Sequence, residues 1–365
     1  MIQISKPFLT DREIDAAVEV LRSGNLSQGP KVKEFEENFA RYCGTKYAIA
    51  VNNGTAALHC ILFALGVKAG DEVITTPFTF VASANSIIMA GARPIFADIS
   101  EEDFNIDPES IKKRITSKTK GIMPVNLYGQ IYNVEAITEI AKEHGLKIVE
   151  DACQSVAAEY KGKKSGIFGE AAAFSLYATK NITAGIGGMI TTNNEEVMRL
   201  CKLYRHHGQD ENTQYDYIMF GYNYRMMDAI AVIGNEQLKR VDELTEARQK
   251  NASKLMDALA GISGIILPKV KEGYTHVWHQ FTLRITPEYK MSRDEFIQKL
   301  AEKDIQCKIY YPKPLHLYPQ FYEYGYKEGD CPVAEKLALE VVSLPIHPLV
   351  TEKDMEYIIE TIKSL

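Results

Sequence analysis

The sequence predicts an α/β protein with a large domain, built on a mostly parallel sheet between helices, and a smaller α+β carboxyl-terminal domain. Short apolar strands alternate with helical segments over the first half of the chain, an order typical of a parallel sheet covered by helices on both faces. After residue 261 strands and helices mix without that order. The length of 365 residues also favours two cores over one. We place the domains at residues 1–245 and 246–365.

The first predicted elements are two amphipathic helices. Thr10 and Glu13 fit a capping box, and apolar residues then recur on one helical face up to Gly24. A second helix presents Phe35 and Phe39 on one face.

Short apolar runs follow as predicted strands, at residues 47–51, 72–76, 93–97, 121–126, 146–150 and 171–176. A long helical pattern from Asp228 toward Leu259 then links the large domain to the small one. In the small domain, residues 279–285 predict a strand and residues 292–303 a helix.

Composition excludes several classes of partner. The net charge is 42 − 48 = −6, without a long basic run, so nucleic acid and anionic membranes are poor partners. No stretch of 18 apolar residues and no signal peptide is present, so we expect a cytoplasmic protein. The six cysteines are scattered without a C-x-x-C pair, which indicates a reducing compartment and argues against a structural metal site.

Polar groups follow several of the predicted strands. Ligands of parallel sheets gather beyond the carboxyl ends of the strands, so one site is expected to collect these groups. They are Asn53-Gly54-Thr55, Pro77-Phe78-Thr79-Phe80, Asp151 with Gln154, and Ser175 with Lys180.

The first of these groups suits a phosphate. Gly54 and Thr55 open a predicted helix, where free N–H groups and the helix dipole attract an anion. Ser175 adds another hydroxyl. The alternative is that Thr55 is only a helix N-cap.

Asp151 and Phe80 also have a functional and a structural interpretation. A carboxylate just past a buried strand is costly unless it meets a cation, such as a protonated ring nitrogen, but it is also typical of a helix N-cap. Phe80 follows a proline-terminated strand and would stack flat on a ring, although an aromatic residue there is usually part of the core.

Lys180 lies just beyond a strand and leads into the glycine-rich run from Gly185 to Gly188. A partly desolvated lysine spends part of its time neutral, as an imine-forming amine must. The alternative is a solvated turn lysine. Together with the phosphate cradle, the aromatic ring and the carboxylate, Lys180 predicts a site for pyridoxal phosphate. A dinucleotide site is rejected because no G-x-G-x-x-G follows the first strand.

Motifs over nearly the whole chain resemble the sugar aminotransferases of the DegT/DnrJ/EryC1/StrS family. They are Phe35-Glu36 with Phe39-Ala40, Gly54-Thr55-Ala56-Ala57-Leu58, Gly70-Asp71-Glu72-Val73-Ile74, Thr79-Phe80-Val81-Ala82, Glu150-Asp151-Ala152-Cys153-Gln154, the run from Ser175 to Asn181, Gly221-Tyr222-Asn223-Tyr224-Arg225-Met226, and Leu344-Pro345-Ile346-His347-Pro348. The resemblance implies PLP fold type I, with a seven-stranded type of sheet in the large domain.

The resemblance also implies a role for each matching residue. Lys180 would bind the cofactor covalently and Asp151 would pair with the pyridine nitrogen. The remaining cofactor contacts would be Gln154 at the ring hydroxyl, Phe80 on the ring face, and Gly54, Thr55 and Ser175 at the phosphate. The asparagine matching Asn223 reaches the cofactor of the neighbouring subunit in the family, which implies a homodimer with shared sites.

The implied activity is a ping-pong transamination from L-glutamate to a keto group of a nucleotide-linked sugar. Residues 25–29, His206, His207, Tyr310, Tyr311 and His316 are candidates for the acceptor site, although surface packing is the common role of such residues.

Two features of the sequence bear on the alternatives. The family often has an acid where this chain has Ile186, and often a proline where it has Ala178. Some relatives are dehydratases with histidine at the lysine position, which Lys180 argues against. A regulatory protein that binds pyridoxal phosphate without turnover is the other alternative.

Overall fold

The structure is a computed structural model that describes residues 1–210 and 215–365. The helices up to the domain junction are α1 (Asp11–Ser23), α2 (Pro30–Cys43), α3 (Gly54–Ala64), α4 (Ala82–Met89), α5 (Pro108–Arg114), α6 (Val134–His144), α7 (Glu195–Arg205), α8 (Asp228–Lys239) and α9 (Val241–Leu259). The strands are β1 (Tyr47–Val51), β2 (Glu72–Thr75), β3 (Arg93–Phe96), β4 (Thr119–Met123), β5 (Lys147–Asp151), β6 (Glu159–Tyr160), β7 (Lys163–Lys164), β8 (Ala171–Ser175) and β9 (Gly188–Thr192).

A seven-stranded sheet forms the centre of the large domain, in the order β1-β9-β8-β5-β4-β2-β3. The pairs from β8 to β3 are parallel, and β9 is antiparallel to both of its neighbours. The predicted α/β fold with a mostly parallel sheet is therefore confirmed.

Both faces of the sheet are covered, as the apolar strands require. One core packs α2, α6 and α8 against the sheet, with Phe35, Phe39 and Phe174 buried in it. The other core packs α3 and α7 on the opposite face, where Leu58 and Val197 are buried.

The carboxyl-terminal part adds the helices α10 (Arg293–Ala301), α11 (Pro332–Glu340) and α12 (Glu352–Ser364), and the strands β10 (Ile265–Ile266), β11 (Tyr274–Thr275), β12 (Phe281–Ile285) and β13 (Val341–Leu344). Its antiparallel sheet has the order β10-β12-β13 and carries a separate core around Phe281 and Phe296.

The long helical pattern after Asp228 is broken at Arg240, where the chain turns from α8 into α9. Helix α9 then passes from one core to the other, with Leu244 in the large-domain core and Leu255 in the small one. The predicted boundary at residue 245 falls inside this helix and stays a prediction.

The segment around residues 310–326 packs back onto the large domain. Leu315 and Phe321 share a core with Phe78, Phe96 and Tyr128. This packing brings small-domain residues to the carboxyl edge of the large sheet. In the described part of the chain, no helix combines the length and apolar character needed to cross a bilayer.

Candidate active site

A cavity of about 480 Å³ lies at the carboxyl edge of the large sheet. The predicted cofactor residues that line it are Gly54, Thr55, Phe80, Asp151, Gln154, Ser175 and Lys180. These residues lie at or just after the ends of four strands, and two of them open helix α3. The fold brings all of them to one place.

Helix α3 begins at this cavity. Asn53 is its N-cap, because the Asn53 side chain accepts a 2.8 Å hydrogen bond from the Ala56 N–H. The alternative that Thr55 is the N-cap is therefore wrong. Thr55 lies in the first turn and faces the cavity, beside N–H groups that have no acceptor within the helix.

Two glycines allow the backbone to come close at this helix terminus. A Cβ atom on Gly54 would lie 3.0 Å from the Cys153 Sγ and 3.1 Å from the Ser175 Cβ. A Cβ atom on Gly188 would lie 2.4 Å from the Asn53 carbonyl carbon, which no real contact allows. Strand β9 can therefore run beside the Asn53 turn only with glycine at position 188.

Asp151 ends strand β5 with its carboxylate buried. One carboxylate oxygen accepts a 2.7 Å hydrogen bond from the Ser83 hydroxyl, and the other accepts a 3.2 Å bond from the Cys153 N–H. No helix follows Asp151 directly, since a turn leads into the short strand β6, so the helix N-cap alternative is wrong. These two donors hold the Asp151 carboxylate in place at the cavity wall.

Lys180 lies in the turn after β8, where its backbone N–H donates to the Tyr177 carbonyl. Burial lowers the pKa of Lys180, while Cys153 and Asp151 act in the opposite direction. A larger neutral fraction makes its amine a better nucleophile than that of a solvated lysine.

Gln154 connects the two sides of the cavity. Its side-chain oxygen accepts a 2.9 Å hydrogen bond from the Tyr128 N–H, and its side-chain nitrogen donates to the Tyr311 hydroxyl over 3.2 Å. The Tyr128 hydroxyl in turn donates to the Tyr310 carbonyl. Tyr310 and Tyr311 both line the cavity, and their contact with an acceptor stays a prediction.

Three apolar side chains form a lip at the cavity. Phe80, Tyr177 and Ile186 line it with 59%, 51% and 60% of their surface exposed. Phe80 is therefore not a core residue. Ile186, the departure from the family pattern, lies at the site itself.

Other candidates lie away from this cavity. His316 is fully buried against Phe96 and Tyr326, and its Nε2 lies 2.9 Å from Glu335, so the structure does not bring it to the site. Asn223 is exposed outside the cavity and accepts a hydrogen bond from Arg225.

The remaining acceptor candidates are also absent from the cavity lining. Gly29, in the segment 25–29, donates its N–H to Asp228 at the junction of α2 and α8. His206 and His207 lie after α7.

Sequence reasoning missed several residues of the site, namely Ser83, Tyr128, His279 and Gln280. Ser83 follows the Thr79-Phe80 motif by one helical turn, so a polar residue on a buried helix face was a usable signal. His279 and Gln280 precede a strand of the small domain, and nothing local marks them as cavity residues.

The residues present fit pyridoxal phosphate. The first turn of α3 with Ser175 suits the phosphate, the Asp151 carboxylate suits a protonated ring nitrogen, and the amine of Lys180 suits covalent attachment. The close approach that Gly54 and Gly188 permit shapes the end of the cavity that suits a phosphate.

Comparison with known proteins agrees with this geometry. The structure superimposes on a putative sugar aminotransferase of Streptococcus pneumoniae, Spr1654 in its PLP form, with a TM-score of 0.94 at 30% identity, covering 100% of this chain and 98% of that one. The fold is therefore that of the fold type I aminotransferases.

Sequence comparison identifies the family. The chain is 39% identical over 366 residues to the GDP-perosamine synthase of Caulobacter vibrioides, covering 100% of this chain and 98% of that protein. It is 44% identical over 347 residues to a protein named pleiotropic regulatory protein in Geobacillus stearothermophilus, covering 94% and 91%. The model of the DegT/DnrJ/EryC1/StrS aminotransferase family matches residues 7–363. The chain belongs to this family, and the predicted resemblance is confirmed.

Proposed function

We propose that this protein is a pyridoxal-phosphate-dependent aminotransferase that moves an amino group from L-glutamate to a keto group of a nucleotide-linked sugar. The observation that carries the proposal is the convergence of Lys180, Asp151 and the amino terminus of α3 on one cavity. The GDP-perosamine synthase among the relatives supports a nucleotide-linked sugar as acceptor.

Each residue has a defined task in this proposal. The N–H groups of the first turn of α3, with Thr55 and Ser175, bind the phosphate. Asp151, held by Ser83, keeps a proton on the pyridine nitrogen. When bound, the cofactor supplies a sink for the electrons of the bond that breaks at the substrate carbon.

Lys180 moves the proton. Its Nζ would take the proton from the α-carbon of the amino donor and would later release it. Because burial lowers the pKa of Lys180, more of its amine is in the neutral form that can accept this proton. Phe80 covers the ring, and Gln154 meets the ring hydroxyl.

We further propose a homodimer in which Asn223 completes the site of the second copy. The support is that Asn223 is exposed and outside the cavity of its own chain. A cytoplasmic location is proposed because all six cysteines are free, as a reducing compartment requires.

The test is the visible spectrum of the purified protein before and after addition of L-glutamate. A yellow, lysine-bound cofactor that bleaches with glutamate supports the donor reaction. Recovery of the colour with GDP-linked or dTDP-linked keto-sugars then identifies the acceptor. A colourless protein that pyridoxal phosphate does not reconstitute would contradict the proposal.

The second candidate is a regulatory protein that binds the cofactor without turnover, which the relative named pleiotropic regulatory protein favours. A yellow protein whose spectrum ignores glutamate and other amino donors would support this candidate instead.

A further inference from the structure

Two buried hydroxyl groups, those of Thr79 and Ser83, lie behind the Asp151 carboxylate and are called the hydroxyl pair below. The Thr79 Oγ1 lies 3.3 Å from the Ser83 Oγ, and the Ser83 hydroxyl donates to the Asp151 Oδ2 over 2.7 Å. Both side chains are buried, and both residues line the cavity that contains Asp151 and Lys180. The proposed function gives Thr79 no task.

The direction of the two hydrogen bonds follows from the number of protons. A serine hydroxyl carries one proton. Ser83 gives this proton to the Asp151 carboxylate, so towards Thr79 it can only accept. Thr79 is therefore the donor, and both bonds point from Thr79 through Ser83 to the Asp151 Oδ2. Hydrogen bonds aligned in this way polarise and strengthen one another.

The hydroxyl pair fixes how the carboxylate is turned. Ser83 holds the Oδ2 atom of Asp151, and the Cys153 N–H holds the Oδ1 atom over 3.2 Å. One bond on each oxygen opposes rotation about the Cβ–Cγ bond. Loss of the Ser83 hydroxyl would remove the shorter of these two bonds, and the carboxylate would turn more freely.

The same two residues frame the turn that carries Phe80. Thr79 precedes Phe80, and the Ser83 N–H donates to the Phe80 carbonyl over 3.2 Å where α4 begins. The hydroxyl pair thus connects the residue proposed for the ring face, Phe80, with the residue proposed for the ring nitrogen, Asp151.

We propose that Thr79 and Ser83 are positioning residues that turn the Asp151 carboxylate toward the ring nitrogen of pyridoxal phosphate. This inference rests on the proposed function. A carboxylate held in this orientation keeps the ring nitrogen protonated. The positive ring then favours loss of the proton from the Lys180 nitrogen that is bonded to the cofactor, because like charges repel. Neither hydroxyl gives up its own proton.

The test measures the absorbance of bound pyridoxal phosphate across pH in the loaded, full-length protein. The pH midpoint of the colour change reports when the cofactor-bound Lys180 nitrogen loses its proton. Ser83→Ala removes the hydroxyl, Ser83→Thr keeps one, and Thr79→Val has nearly the shape of threonine without a hydroxyl. Ser86→Ala is the matched control, because the buried Ser86 hydroxyl of the same helix donates to the Ser83 carbonyl over 3.0 Å instead.

Other titratable side chains of the site stay the same in these variants. Those that interact electrostatically with Asp151 or Lys180 are Glu150, Cys153, His279 and Tyr311. A difference in midpoint between Ser83→Ala and its control therefore reports the hydroxyl pair.

In Ser83→Ala we expect the midpoint to rise by about one pH unit, because the ring nitrogen carries its positive charge for less of the time. The glutamate half-reaction should slow about tenfold, as for a misplaced group. Thr79→Val should shift the midpoint in the same direction by a smaller amount, since Ser83 can still donate. Ser83→Thr and Ser86→Ala should keep the wild-type midpoint.

A double-mutant cycle with Asp151→Asn separates positioning from a general structural effect. If Ser83 acts through Asp151, Ser83→Ala should shift the midpoint no further in the Asp151→Asn protein. An equal shift in both backgrounds would overturn the inference, and so would a wild-type midpoint in Ser83→Ala. Cofactor content and melting temperature check folding, and if Ser83→Ala does not fold, Thr79→Val takes its place in the same cycle.

Failure of the proposed function has a different signature. A loaded wild-type protein that ignores glutamate and other amino donors would contradict the proposed transamination, while the midpoints would still test Thr79 and Ser83. A wild-type protein that does not bind pyridoxal phosphate would overturn both.

Discussion

The two walls of the cavity are built in different ways. The large-domain wall consists of strand ends and a helix terminus, so that Asp151, Ser175 and the first turn of α3 are fixed by the sheet itself. The small-domain wall consists of side chains such as His279 and Tyr311, which tertiary hydrogen bonds hold in place. The first wall supplies fixed charge and dipoles, and the second supplies groups whose placement depends on how the domains pack.

This difference predicts that changes in the large-domain wall affect the chemical step most. We expect Lys180→Ala to reduce turnover by at least about 10⁴-fold, because the proton carrier is lost. Steady-state assays of transamination measure this loss, and the fold should be retained. The exposed Lys163→Ala is the matched control. Turnover near the wild-type rate in Lys180→Ala would contradict the assignment.

Asp151→Asn tests the fixed charge of the same wall. The amide cannot stabilise a protonated ring nitrogen, so the proton-transfer step should slow by about 10²–10³-fold while bound cofactor is retained. Stopped-flow bleaching with glutamate measures the step. Asp294→Asn, at a carboxylate 78% exposed, should leave it unchanged. An unchanged rate in Asp151→Asn would exclude this role.

Gly188→Ala tests the backbone of this wall. A Cβ atom would clash with the Asn53 carbonyl, so the amino terminus of α3 must move. We expect cofactor affinity to fall at least about tenfold. The free energy of unfolding should fall by about 2 kcal/mol, as is typical of overpacking. Cofactor titration and urea unfolding measure the two effects. Gly145→Ala loses stability through its φ of +64° but meets no atom, so its cofactor affinity should not change.

Tyr311→Phe tests the small-domain wall. It removes the hydroxyl that accepts from Gln154, a hydrogen bond of about 1 kcal/mol. We expect KM for the sugar acceptor to rise about fivefold, with the glutamate half-reaction within about twofold of wild type. A loss confined to the glutamate half-reaction would show that this wall serves the chemical step instead.

Glu13 lies outside the cavity lining, so Glu13→Gln should have the smallest effect on activity. Glu13 bonds to Gln237, whose side chain accepts from Thr183 in the turn after Lys180. Burial alone would raise the pKa of Glu13, but hydrogen bonds from Thr10 and Gln237 lower it to about 2.

The sign of the resulting pH dependence follows from that lowered pKa. The contribution of Glu13 to stability is present above its ordinary pKa of 4.5 and is lost as pH falls toward 2. After allowance for solvent screening, we expect Glu13 to contribute roughly 2 kcal/mol to the free energy of unfolding at pH 7. Urea unfolding of Glu13→Gln at pH 7 and pH 3 should show a smaller loss at the lower pH. An equal loss at both would contradict this account.

The same contrast explains what the sequence could predict. Strand ends carry local signals, such as the buried run before Asp151 and the glycines after Lys180, so most of the large-domain wall was anticipated. His279 has no such signal, because its position depends on Arg248 and Gly129, far away in the chain. His316 is the opposite case. Its place in a tyrosine-rich loop made it a candidate for the acceptor site, but its side chain is buried in the packing of that loop.

The order of the strands has a consequence for synthesis of the chain. Strand β1, which leads into the Asn53 turn, pairs with β9, and β9 also pairs with β8, which ends at Ser175. A chain growing from its amino terminus therefore carries the Asn53 turn long before residues 188–192 exist to anchor it. Such distant pairings form slowly because a long loop must close first. This edge of the cavity therefore cannot be completed before residues 188–192 have been made and have paired with β1 and β8.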